Sequence, residues 1–163
     1  MKKIAWALIA TLVMSESMIA KANDYKVMSE GVSLGINMLD TGGDENTNSY
    51  EFGRYKMFGD QFRYGGEANI AIVDSFSELI CDASARVGYA PLLNLDIFAT
   101  LGYGMQTFGV ISSDGMVYGL GLHYGMSDGF GLLVDYKKYD LEYEYLGVKN
   151  DLSSIGLKID FAF

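Results

Sequence analysis

A period of two in the hydropathy constrains this chain more than any other feature. The closing stretch LSSIGLKIDFAF sets Ile155, Leu157, Ile159, Phe161 and Phe163 against Ser154, Gly156, Lys158, Asp160 and Ala162. A helix repeats every 3.6 residues and would scatter these side chains around its axis. A strand points successive side chains to opposite faces and sorts them into two sets. The same pattern returns along the chain, and it predicts eight strands: about 27–38, 49–57, 62–73, 80–90, 95–106, 116–126, 130–142 and the closing stretch.

One face of each strand is oily. Val32, Leu34, Ile36 and Met38 share it in the first strand, and Leu95, Ile97, Ala99, Leu101, Tyr103 and Met105 in the fifth. Tyr118, Leu120, Leu122, Tyr124 and Met126 share it in the sixth. The other face carries glycine, serine and threonine with isolated charges. The second strand breaks the rule. With Tyr50 and Phe52 on the oily face, strict alternation adds Arg54 and Lys56 to it. A β-bulge at Gly53 would restore the pattern, turning both cations inward and Tyr55 and Met57 outward.

The connections alternate too. Segments 58–61, 91–94 and 127–129 read as short turns, while 40–48, 74–79, 107–115 and 144–151 read as longer, more polar loops. With an even strand number, both chain ends then fall on the short-turn side. The expected fold is therefore all-β: an eight-stranded antiparallel up-and-down transmembrane β-barrel with short periplasmic turns and longer external loops. A soluble up-and-down barrel shares the alternation. It would, however, show water a face rich in long charged side chains, whereas here the mixed face is mostly small residues suited to a crowded interior. Strands of about ten residues suffice to cross a bilayer when tilted. An open sheet would strand unpaired backbone groups in hydrocarbon, so the barrel must close.

The start of the chain reads as a secretory leader. Lys2 and Lys3 precede an apolar run, 4–14, and Ala20-Lys21-Ala22 offers a cleavage site. Residues 1–22 are the expected signal peptide and 23–163 the mature barrel domain. Losing three lysines and one glutamate with the leader would take the formal net charge from −9 to −11. That acidity argues against nucleic acid as a partner. Cys81 is the sole cysteine, which excludes an internal disulfide.

Few residues suggest chemistry. Arg63, Glu67, Asp82, Arg86, Asp96, Asp135, Lys137, Lys158 and Asp160 lie on the small-residue face and are expected to pair across strands and brace the lumen. His123, the sole histidine, joins them inside, near the short-turn end. No serine stands in line with it, so a catalytic dyad is not expected. Cys81 has the outward parity near an external strand end. Asp40, Asp44 and Glu45 make an acidic first loop without the ordered ligand spacing of a calcium site. The spacing in GLGLHYG is that of a strand, and no phosphate-binding loop or metal motif occurs. No catalytic residue, cofactor or metal is expected.

Three stretches resemble the small outer-membrane β-barrel proteins of Gram-negative bacteria, the OmpA-like and OmpX-like barrels often described as porin-family. They are LDIFATLGYG at 95–104, YGLGLHYGMSDGFGLLVDY at 118–136, and LKIDFAF ending at Phe163. The resemblance implies an integral outer-membrane protein in contact with lipid and lipopolysaccharide, and a monomer is expected because a closed barrel has no edges to pair. It also implies that Phe161 and Phe163 form the signal read by the barrel-assembly machinery. Some barrels of this kind are enzymes. The lipid A deacylase carries a His-x-Ser pair, but here Tyr124 and Gly125 follow His123. The expected role is structural or interactive, in envelope integrity, adhesion or recognition through external loops. The alternative is a narrow channel for ions or small solutes, and a lipid-modifying enzyme comes third.

Overall fold

The computed structural model describes residues 27–42, 46–73, 78–92, 94–127, 129–143 and 148–163. The leader, together with Asp44 and Glu45 of the first loop, lies outside them. The chain forms β1 (Val27–Asp40), β2 (Thr47–Phe58), β3 (Phe62–Val73), β4 (Glu78–Leu92), β5 (Leu95–Phe108), β6 (Ile111–Ser127), β7 (Phe130–Tyr143) and β8 (Lys149–Ala162). Each strand pairs antiparallel with its sequence neighbours, and β1 pairs with β8, closing the barrel. Closure leaves no strand edge unpaired.

The alternation decides which way each strand faces. Leu34, Ile36, Leu101, Leu120, Leu122 and Leu157 are exposed on the outer wall, while Ser33, Asn37, Glu51, Asp82, Asp135 and Lys158 are buried within. The largest fully enclosed side chains include Lys137 and Lys158. Lysines inside and leucines outside reverse the order of a water-soluble protein. A contiguous apolar wall of this extent far exceeds the patches that soluble monomers expose. It is the arrangement of a transmembrane barrel. Aromatic residues mark the short-turn end of the wall, where Phe62 faces Tyr89 at 5.2 Å and Phe130 meets Phe161 edge-on at 5.7 Å.

Two expectations need correction. First, β2 carries no bulge. Its register against both β1 and β3 runs unbroken through Gly53. Gly53 instead faces inward, and the Ser33 hydroxyl sits 2.6 Å from where its Cβ would lie. Tyr55 and Met57 are therefore buried inside, and Arg54 and Lys56 lie on the outer wall. The cations are tolerated there because Glu30 of β1 reaches both, at 2.6 Å from Arg54 Nη2 and 3.0 Å from Lys56 Nζ. Second, 107–115 is not a long loop. Phe108 pairs with Ile111, and only Gly109 and Val110 make the turn. Gly109 takes φ +58, the left-handed backbone a tight hairpin requires. The strands on either side are correspondingly longer than the alternation alone marks out.

Candidate functional site

Among the described residues, most of the paired ionisable groups gather in the barrel interior. It forms three tiers. At the long-loop end, Leu39, Ala71, Val73, Ile80, Val117, Tyr139, Leu141 and Leu152 pack into an apolar plug. These positions are apolar exceptions on an otherwise polar face, which explains why alternation alone did not draw them together.

Below the plug lies a layer of buried ion pairs. Lys158 Nζ donates to Glu51 at 2.5 Å and to Asp135 at 2.6 Å. Asn37 donates to the other Glu51 oxygen at 2.6 Å. Lys137 Nζ lies 2.9 Å from Glu67 and 3.1 Å from Asp82. Asp82 also accepts from Asn69 at 2.9 Å and from the Tyr139 hydroxyl at 3.1 Å. Arg86 pairs with Glu67 at 3.5 Å, and its guanidinium lies 3.3 Å above the centre of the Phe98 ring. That ring in turn rests on Gly121, its cross-strand partner. Every ion in this layer thus has at least one counter-ion within reach, the condition for burying charge without losing the fold.

At the short-turn end, His123 bridges two carboxylates. Its Nδ1 is 3.3 Å from Asp96 and its Nε2 is 3.0 Å from Asp160. Arg63 donates to Asp96 at 2.5 Å, and the Tyr55 hydroxyl donates to Asp160 at 2.8 Å. Both ring nitrogens are engaged by carboxylates, which braces the mouth of the barrel.

The ten lumenal residues picked from the sequence all lie on the inner face: Arg63, Glu67, Asp82, Arg86, Asp96, His123, Asp135, Lys137, Lys158 and Asp160. Ion pairs or hydrogen bonds join each of them to another lumenal group. Glu51, Tyr55, Tyr139 and Phe98 are further members that the sequence reading did not pick out. Glu51 stood in plain alternation between Tyr50 and Phe52. Tyr55 was lost to the supposed bulge.

A cavity of about 10 Å³, bordered by Tyr55, Glu67, Arg86, Asp135 and Lys158, has room for roughly one water molecule. Among the described residues no group of three or more acidic, histidine or cysteine side chains is placed to hold a metal ion. Cys81 faces outward on β4, opposite Ile70 and Met105. Phe161 is on the outer wall, and the Phe163 amide donates to the Glu30 carbonyl at 2.8 Å, tying the chain end to β1.

No protein-family model matches the sequence, and no curated protein matches it either. Solved structures do match by fold. A de novo designed transmembrane β-barrel aligns over 85% of this chain and 98% of its own, with 14% identity and a TM-score of 0.59. The Neisserial surface protein A aligns over 83% and 96%, with 13% identity and a TM-score of 0.57. The N-terminal β-barrel domain of OprF from Pseudomonas aeruginosa aligns over 85% and 100%, with 12% identity and a TM-score of 0.57. The architecture is thus that of small outer-membrane barrels. At these identities the likeness is one of fold, and fold alone does not assign a role.

Proposed function

We propose that this chain is an integral outer-membrane protein with a sealed lumen, acting through its surface in envelope integrity, adhesion or recognition. The filled interior carries the reading. An apolar plug stands above a layer of buried ion pairs, and a cavity beside that layer has room for about one water molecule. A conducting pore needs a continuous wet path, and eight strands enclose little more than side chains. The apolar outer wall supports membrane residence, as does the likeness to outer-membrane barrels. The leader-like start supports export.

In this reading the barrel end where β2 meets β3, β4 meets β5 and β6 meets β7 faces the periplasm, together with the termini. The opposite end faces outward, among lipopolysaccharide. The barrel is a monomer, and Phe161 and Phe163 address it to the assembly machinery. His123, held between two carboxylates on the inner face, serves in this reading as a brace.

Planar-bilayer recording of the folded protein tests the sealed lumen. Absence of discrete conductance steps is the expected result, and regular steps abolished by altering Lys137 or Leu141 would establish the channel instead. Shortening segment 41–46, between β1 and β2, should remove a surface phenotype while leaving heat-modifiable gel migration intact. Loss of folding in that variant would refute a surface role for the loop.

A further inference from the structure

The outer wall has one ionic interruption at its short-turn end, among the described residues, and it falls on β1 and β2. Around the rest of that end the outward positions are Phe62, Tyr64, Val87, Tyr89, Ile97 and Tyr124, with the leucines and isoleucines of β6 to β8 beside them. At β1–β2 they are instead Glu30, Arg54 and Lys56. One carboxylate serves two cations, so the cluster keeps a positive charge. The Arg54 side chain is 56% exposed even with that partner, and the alternation of β2 puts it on the outer face.

The wall beside the cations is low. Register pairs Arg54 with Ala68 and Lys56 with Gly66. Ala68 in turn pairs with Ala83, and Gly66 with Ala85. All four small residues have outward parity, so two neighbouring strands present a shallow depression about 5 Å across per strand. It opens directly onto the two cations. A guanidinium and an ammonium side by side suit a phosphate, the arginine through paired donors and the lysine as a point charge. A phosphate next to a trough of methyls and hydrogens has the chemistry of a phospholipid headgroup with its acyl chain.

We infer that Arg54 and Lys56 hold the phosphate of one anionic phospholipid in the leaflet on the short-turn side, with an acyl chain lying over Gly66, Ala68, Ala83 and Ala85. Glu30 acts as the internal counter-ion that the headgroup displaces from Arg54. The inference rests on the membrane reading, but it can fail separately.

The test is native mass spectrometry of the full chain, expressed and extracted from membranes in mild detergent, with phosphatidylglycerol or phosphatidylcholine added. The unaltered protein should retain phosphatidylglycerol at least tenfold better than phosphatidylcholine. Arg54→Gln with Lys56→Gln should abolish that preference, since each surface cation is worth about fivefold toward an anionic lipid. Glu30→Gln should strengthen retention, because it removes the competing carboxylate. A purely bracing role for the cluster predicts the opposite sign. Ala68→Leu with Ala83→Leu fills the depression without touching charge, and it should weaken retention of long-chain but not short-chain phosphatidylglycerol. Equal retention of the two lipids by the unaltered protein would overturn the inference, as would an undiminished preference in the Arg54 and Lys56 variant. Heat-modifiable migration checks each variant's fold. If the protein instead fractionates as a soluble species, it is the membrane reading that fails.

Discussion

Removing the ammonium of Lys158 is the sharpest perturbation of the sealed lumen. Its Nζ lies 2.5 Å from Glu51 and 2.6 Å from Asp135, with both carboxylates buried and the lysine itself 2% exposed. Lys158→Met keeps most of the aliphatic stem against Gly35, its cross-strand partner. What it deletes is the charge that lets two carboxylates share the space. Breaking a buried pair in this way costs about 3–5 kcal/mol, because an uncompensated charge stays behind. At about 1.4 kcal/mol per decade, that lowers the folded-to-unfolded ratio by more than a hundredfold. Urea titration of protein folded into vesicles, read by heat-modifiable gel migration, measures the loss. A companion variant combines Lys158→Met with Glu51→Gln and Asp135→Asn. Neutralising all three groups should recover most of the stability, since replacing a whole buried ionic group is often close to neutral. A single-variant loss below about 1 kcal/mol would mean that bulk water reaches the layer, and the sealed lumen would be refuted. A triple variant as unstable as the single one would trace the loss to packing rather than charge.

Other perturbations separate the outer wall from the interior. Leu120 is among the exposed side chains of the outer wall, in the central part of β6, and Leu120→Arg should cost about 2–4 kcal/mol in the same titration. No loss would indicate that the wall meets water. Gly121→Ala, one residue along, projects a methyl onto the Phe98 ring, whose Cε2 and Cε1 lie 2.7 and 2.8 Å from the new carbon. Displacing that ring disturbs Arg86 above it, and a loss of about 1–3 kcal/mol is expected in the titration. Phe163→Ala should reduce the folded outer-membrane fraction in cells, with refolding in vesicles nearly unaffected, because the side chain is exposed at the chain end. An equal loss in both assays would make Phe163 a stability residue instead of an assembly signal.

Much of the barrel was legible because alternation is a local property with a global consequence. In β8, Lys158 and Asp160 had to share a face opposite Leu157 and Ile159, whatever the rest of the chain did. The same logic put Asp82, Arg86, Asp135 and Lys137 in the lumen. It failed in β2 for an instructive reason. A cation on an oily face looks like an error until its partner is known, and Glu30 lies on another strand. Register, which a single strand's pattern cannot set, brings Glu30 opposite Lys56. Bending the strand at Gly53 to hide Arg54 and Lys56 therefore repaired a conflict that tertiary pairing had already resolved, and it misplaced Tyr55. The plug was hidden for the converse reason. Val117, Leu141 and Leu152 are apolar on the inner parity, and only the closed barrel gathers them at one end. The turn at Gly109–Val110 escaped because Ser112, Ser113 and Asp114 read as loop, although the hairpin holds them in strand.

The central claim is that the oily face of this barrel meets lipid. Fluorescence from single tryptophans tests it most directly. Trp6, the only tryptophan in the chain, falls in the expected leader, so the mature protein 23–163 gives a tryptophan-free background. Into it tryptophan is placed at Leu120, at Leu157, and at Val110 on the turn that joins β5 to β6. In vesicles with brominated acyl chains, tryptophans at 120 and 157 should emit at short wavelength and be strongly quenched. The one at 110 should emit as in water and escape the bromines. Emission at 120 and 157 indistinguishable from that at 110, with no quenching, would place the oily face in water and contradict the account.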